Sequence, residues 1–162
     1  MRSERGHIYM KHIYKGVDLA DLRLSTLAGT PLAGIHVHGD FLCNHNRLTN
    51  LIGGPGIVDG RYNCYMNGLL TLEGAAVEVG DFNCSRNRIK NLVGSPKRVE
   101  QDFICSYNHL ESIEGGPEYI GGDFYGWGIG PWSVLDIKEA MDIQGNIFIS
   151  GSTHERMGDY LP

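Results

Sequence analysis

Three residue types recur along this chain at spacings that could carry chemistry. Cys43, Cys64, Cys84 and Cys105 stand 21, 20 and 21 residues apart. Four thiols raise zinc and disulfides as options. Zinc needs four ligands converging on a tetrahedron, and the chain has no Cys-x-x-Cys pair. Cysteines at one repeat position stack as a ladder, about 4.8 Å per step, and do not converge. We read them as buried free thiols that act as small hydrophobes, in a reducing compartment. His36 and His38 lie two apart and would share one face of a strand. With Asp40 they make the nearest metal-ligand set, and His154 with Glu155 offers a second pair near the C-terminus. A metal-dependent enzyme would have to rest on these residues. His45 and His109 read as polar groups at a coil edge.

The carboxylates Asp40, Asp81, Asp102 and Asp123 recur ahead of the aromatic in four coils. Catalytic carboxylates would be expected once, so recurrence points to hydrogen bonding in a turn. There is no Gly-x-Ser-x-Gly elbow and no phosphate-cradling glycine loop. The expectation is therefore a non-enzyme, with no catalytic residue, no cofactor and no metal.

One short pattern positions all of these residues. It reads GDFLCNHNRLTNLIGGP from Gly39, GRYNCYMNGLLTLEGAA from Gly60, GDFNCSRNRIKNLVGSP from Gly80 and QDFICSYNHLESIEGGP from Gln101. A fifth copy opens as GDFYGWG at Gly122 and then loses the pattern. The aromatics Phe41, Tyr62, Phe82, Phe103 and Phe124 and the amides Asn46, Asn67, Asn87 and Asn108 keep the same step. A period of 20–21 residues signifies a solenoid, in which one coil cannot bury its apolar face alone and stacking makes the core. The aromatic and the Cys, two apart, point inward from a short strand. The Asn follows where the chain turns, and its amide can satisfy backbone groups of its own and the adjacent coil. Leu48, Leu69, Ile89 and Leu110, then Leu51, Leu72, Leu92 and Ile113, re-enter the core, before Gly-x-Pro bends the chain back.

This register resembles the leucine-rich repeat, with an aromatic in the first leucine slot and Cys in the second. The wording GDFxCxxNxLxxLxGxP is similar to short repeat proteins common in bacteriophage genomes. The resemblance covers about residues 39–124. It implies an α/β-type repeat solenoid with a narrow parallel β-sheet on its concave side, mostly β and loop, and it implies protein binding. It supplies no catalytic residue.

The expected organisation has three parts: an N-terminal cap with a degenerate repeat at 1–38, the solenoid at 39–124, and a C-terminal cap and tail at 125–162. HIYM and HIYK within residues 1–16 suggest a short strand or hairpin. Leu24, Leu27, Gly29 and Pro31 match Ile89, Leu92, Gly94 and Pro96 of a later copy, although the aromatic and Cys of this copy are missing. Trp132, Leu135, Ile137, Ala140 and Met141 mark a helix over about 131–142, with Pro131 in its first turn. GNIFIS at 145–150 alternates as a strand, and helix plus strand are expected to cap the last coil. Residues 151–162 are expected to be exposed. Five to six coils would make a stack roughly 25–30 Å long.

Function is expected in the letters that do not repeat. The outward positions between aromatic, Cys and Asn hold Leu42, His45, Tyr65, Met66, Arg86, Ile104, Tyr107, Tyr125 and Trp127. Tyr, Trp and Arg are the types that anchor interfaces. A net charge of −5 and a pI near 5.7 argue against a nucleic-acid backbone binder. No apolar run is long enough for a membrane span, and residues 1–16 lack the apolar core of a secretory signal, so the cytoplasm is the expected location. The favoured expectation is a phage-encoded, non-enzymatic binder that inhibits or redirects a bacterial protein, a defence enzyme among the candidates, in the host cytoplasm. The alternatives are the metal-dependent enzyme above and an assembly part that pairs through its solenoid edges.

Overall fold

The computed structural model describes residues 11–150. It is a parallel β-solenoid in which each coil contributes strand to two ladders. The first ladder runs through β1 (His12–Ile13), β3 (His36–Val37), β5 (Ile57–Asn63), β6 (Glu78–Asn83), β7 (Arg98–Val99), β9 (Tyr119–Ile120) and β11 (Asp142–Ile143). The second runs through β2 (Val17–Asp18), β4 (Phe41–Leu42), β5, β6, β8 (Phe103–Ile104), β10 (Phe124–Gly126) and β12 (Ile147–Ile149). All strand pairings among the described residues are parallel and the coils stay in register, for example Phe41↔Tyr62, Tyr62↔Phe82 and Phe82↔Phe103. β5 and β6 serve both ladders, with a register shift between Val58 and Arg61 where the chain bends from one to the other.

One strand ladder and five to six coils were expected; there are two ladders and seven rungs in each. The extra ladder is built on Val37, Val58, Val79, Val99 and Ile120, which point inward one bend ahead of the aromatics and are almost fully buried. Six steps of about 4.8 Å give a stack about 29 Å long.

The core is a set of columns. Phe41, Tyr62, Phe82, Phe103 and Phe124 are fully buried, with successive ring centroids 4.8, 5.4, 5.7 and 5.8 Å apart. All four cysteines are free and buried. Burial pushes each thiol well above its ordinary range, which keeps it a protonated, unreactive hydrophobe.

The asparagines tie coil to coil. The Asn87 amide donates to the carbonyls of Cys64 (3.1 Å), Cys84 (3.0 Å) and Ser85 (3.3 Å). Its oxygen accepts from the N–H groups of Asn67 (3.1 Å) and Leu69 (3.0 Å) in the preceding coil. Asn46, Asn67 and Asn108 do the same in their coils. The aspartates form a second seam. Asp40 accepts from the N–H of Arg61 (2.8 Å), Asp81 from Asp102 (3.1 Å), Asp102 from Asp123 (2.8 Å) and Asp123 from Asn146 (2.7 Å). Each carboxylate thus holds the coil that follows, which is why the residue recurs.

The two ends carry the same slots with other residues. In the first coil Val17 pairs with Phe41 and so fills the aromatic slot, and Leu19 packs on the core in the Cys slot. β1 is a parallel rung against β3, and the HIYM half of the expected strand or hairpin lies outside the described residues. At the other end the pattern persists past Phe124. Gly126 takes the Cys slot, where a Cβ would sit 2.6 Å from Ile129 Cδ1, and the buried Ile129 takes the Asn slot. The helix α1 is shorter than expected, Val134–Ala140, because Ser133 is its N-cap in a capping box with Asp136. Pro131 therefore precedes it. Of the expected stripe Ile137 and Met141 are buried, whereas Leu135 is exposed. β11 and β12 extend both ladders by a seventh rung, so the C-terminal segment continues the stack. His154, Glu155 and the expected exposed tail lie outside the described residues.

Candidate functional site

The outward positions fall into three parallel columns beside the second ladder. Leu42, Asn63, Asn83, Ile104, Tyr125 and Phe148 lie in register on the ladder itself. Asn44, Tyr65, Ser85, Ser106 and Trp127 follow the Cys slot. His45, Met66, Arg86 and Tyr107 come next, at the turn. The expected residues are thus brought together on one surface. Of the intervening positions Asn83, Ser85 and Ser106 are buried, and two serve the turn: Asn63 Oδ1 accepts from Tyr65 N–H (3.1 Å) and Asn83 Oδ1 from Ser85 N–H (3.0 Å).

The turn column has an unusual backbone. His45, Met66, Arg86 and Tyr107 have φ of +54°, +54°, +54° and +55°. That is the left-handed region, which costs a residue with a Cβ roughly 1 kcal/mol. In the next coil the same place is taken by Gly128, at φ +64°. The geometry is set by the turn that delivers the Asn amide to the backbone. Glycine would meet it without strain, yet four coils carry large side chains there.

Those side chains contact one another and their neighbours. His45 meets the Tyr65 ring edge-on at 5.4 Å. The Arg86 guanidinium lies 5.1 Å over the Tyr107 ring. Tyr107 in turn covers Gly128, whose Cβ, if present, would be 3.0 Å from the ring. Tyr125 stacks on Phe148 at 5.0 Å, and Trp127 lies 6.5 Å from Phe148. Met66 is 49% exposed. The result is a strip whose C-terminal half is an aromatic platform. Phe148 belongs to it and was not anticipated. Its place follows from the period, since it lies one coil beyond Tyr125.

A second constellation lies beside the first ladder, at the N-terminal end. His12 pairs with His36 in β1 and β3. Asp59 follows Val58 in β5, as His38 follows Val37 in β3. The Asp59 carboxylate receives His36 Nε2 at 2.6 Å on one oxygen and His38 Nδ1 at 2.7 Å on the other. His12 Nδ1 and His38 Nε2 are 2.8 Å apart. Tyr14 stacks flat on His38, with centroids 4.7 Å apart. These hydrogen bonds, that from His36 foremost, hold the Asp59 carboxyl below its usual range.

Asp40 is not part of this cluster. The chain bends after β3, and Asp40 belongs to the turn into the second ladder, where it accepts from Arg61. His12, Tyr14 and Asp59 are the residues that sequence reasoning missed. The repeat step contained the signal, because Asp59 lies 21 residues after His38 and His12 lies 24 before His36. His109 is exposed on the turn side of its coil.

No described helix is long and apolar enough to cross a membrane. Comparison with protein-family models, with curated proteins and with solved structures returns no match.

Proposed function

We propose that the chain is a non-enzymatic protein-binding module that grips its partner along the strip beside the second ladder. The observation that carries this reading is the turn column. His45, Met66, Arg86 and Tyr107 keep large side chains in a left-handed backbone that glycine would adopt without strain. Strain of this kind persists where a side chain is wanted for itself. Together with Tyr65, Tyr125, Trp127 and Phe148 these residues form a surface rich in the types that dominate binding energy. The repeat wording supports a leucine-rich-repeat-like, phage-encoded protein acting in the bacterial cytoplasm. On that reading the partner is a bacterial protein, a defence enzyme among the candidates, which the module inhibits or redirects.

The test is affinity capture from bacterial lysate, quantified by mass spectrometry, with three baits. The wild type is expected to enrich a partner. The Arg86→Ala/Tyr107→Ala bait should lose it by at least about tenfold, as for the removal of interface anchors. A Lys90→Ala/Lys97→Ala bait, altered away from the strip, should retain it. Equal recovery on all three baits, or no partner at all, would overturn the reading.

A further inference from the structure

The histidine cluster lies away from the strip and is not used by it. We propose that His12, His36 and His38 form a binding site for one divalent transition-metal ion of the zinc class, oriented by Asp59, and that the ion staples the first three coils together.

The donor set is the first argument. Three imidazoles offer ligand atoms that all lie within 4.8 Å of one another, and imidazole suits zinc, nickel, cobalt and copper better than magnesium or calcium. Asp59 is the second. An ionised carboxylate only accepts, so His36 donates from Nε2 and His38 from Nδ1. That leaves the lone pairs of His36 Nδ1 and His38 Nε2 available, and His38 Nε2 already faces His12 Nδ1 at 2.8 Å. A carboxylate that fixes the tautomer of a ligating histidine through its other nitrogen is the usual outer partner of a metal site. One aspartate does this for two histidines here.

Geometry sets what loading must do. Zinc–nitrogen bonds of about 2.0–2.1 Å put tetrahedral donors about 3.3 Å apart. The His12–His38 pair opens slightly to reach that distance. His36 and His38 are stacked with centroids 3.9 Å apart, so one ring rotates out of the stack to bring its lone pair to the ion. The cluster is partly exposed, with His36 and His38 side chains 19% and 27% accessible. That leaves an open path and a fourth position for water. Its placement gives it a role. The ligands come from the first and second coils and their clamp from the third, next to a two-residue rung, β1. A metal bond there would secure the end of the sheet against fraying.

The test uses untagged full-length protein, stripped with chelator and dialysed. Titration with zinc chloride by calorimetry should show one equivalent bound, with micromolar or tighter affinity and a raised thermal midpoint. His12→Gln and His38→Gln should each weaken binding at least tenfold. Asp59→Asn should weaken it about tenfold, in line with the loss of an outer partner, and Asp40→Asn should leave it unchanged. Cobalt(II) supplies a readout independent of variant stability: visible d–d bands without the intense near-ultraviolet band of thiolate ligation. Absence of saturable zinc or cobalt binding overturns the proposal. So does binding that survives in the His12→Gln/His36→Gln/His38→Gln variant, or a thiolate band that places the ion on the cysteines.

Discussion

The N-terminal end of the first ladder and the C-terminal end of the second share one interior and differ entirely outside it. At the first, His12, His36, His38 and Asp59 form a closed polar network. At the second, Tyr107, Tyr125, Trp127 and Phe148 form an aromatic platform. Inward, both ends belong to one continuous core cluster. The core therefore places no demand on what each coil shows to its surroundings. A solenoid with this division can carry two unrelated surfaces whose centres lie four coils, about 19 Å of stack, apart, and each can be altered without disturbing the other.

That separation can be broken from the inside. Phe82→Ala removes a fully buried ring from the middle of the aromatic column and should cost about 3–5 kcal/mol in urea unfolding. Both surfaces should weaken together, as judged by metal titration and partner capture on the same sample. A loss confined to one surface would show that the two ends fold separately. Asn87→Ala removes five hydrogen bonds spanning two coils and should cost about 3 kcal/mol, since buried backbone groups are left without partners. Broadening of the urea transition would show that the coils had come uncoupled.

Outward changes should behave differently. Met66→Gly relieves left-handed strain and should stabilise the fold by about 1 kcal/mol, while capture of the partner falls and zinc affinity is unchanged. Greater stability with undiminished capture would remove the functional meaning of the turn column. The smallest effect is expected at Tyr62, whose buried hydroxyl has no hydrogen-bond partner. Tyr62→Phe should leave stability unchanged or raise it by up to about 1 kcal/mol, with both surfaces intact.

The inward half of each coil was legible from residue types because core positions repeat. The aromatic, Cys, Asn and Leu columns, and the coil-to-coil role of Asn, follow from their spacing. The first ladder was harder to see. Its inward residue is a single Val or Ile per coil, and a two-residue strand such as β7 or β9 leaves no alternation to detect. The end coils were hidden because Val17, Leu19, Gly126 and Ile129 fill their slots without resembling the pattern. The candidate strip was legible since its columns are offset by fixed numbers from the Cys slot. The histidine cluster was only half legible. His36 and His38 announce themselves as neighbours, but Asp59 and His12 join them through stacking. Asp40, closer in sequence, turns away at the bend.

The four cysteines have a consequence for experiment. Each lies fully buried in its own coil, at one shared depth, with a thiol kept inert by burial. Alkylation can proceed only when that particular coil opens. The chain therefore carries four evenly spaced clocks along its axis. Their relative rates would date the opening of Cys43 against that of Cys105, and so reveal from which end the stack begins to come apart.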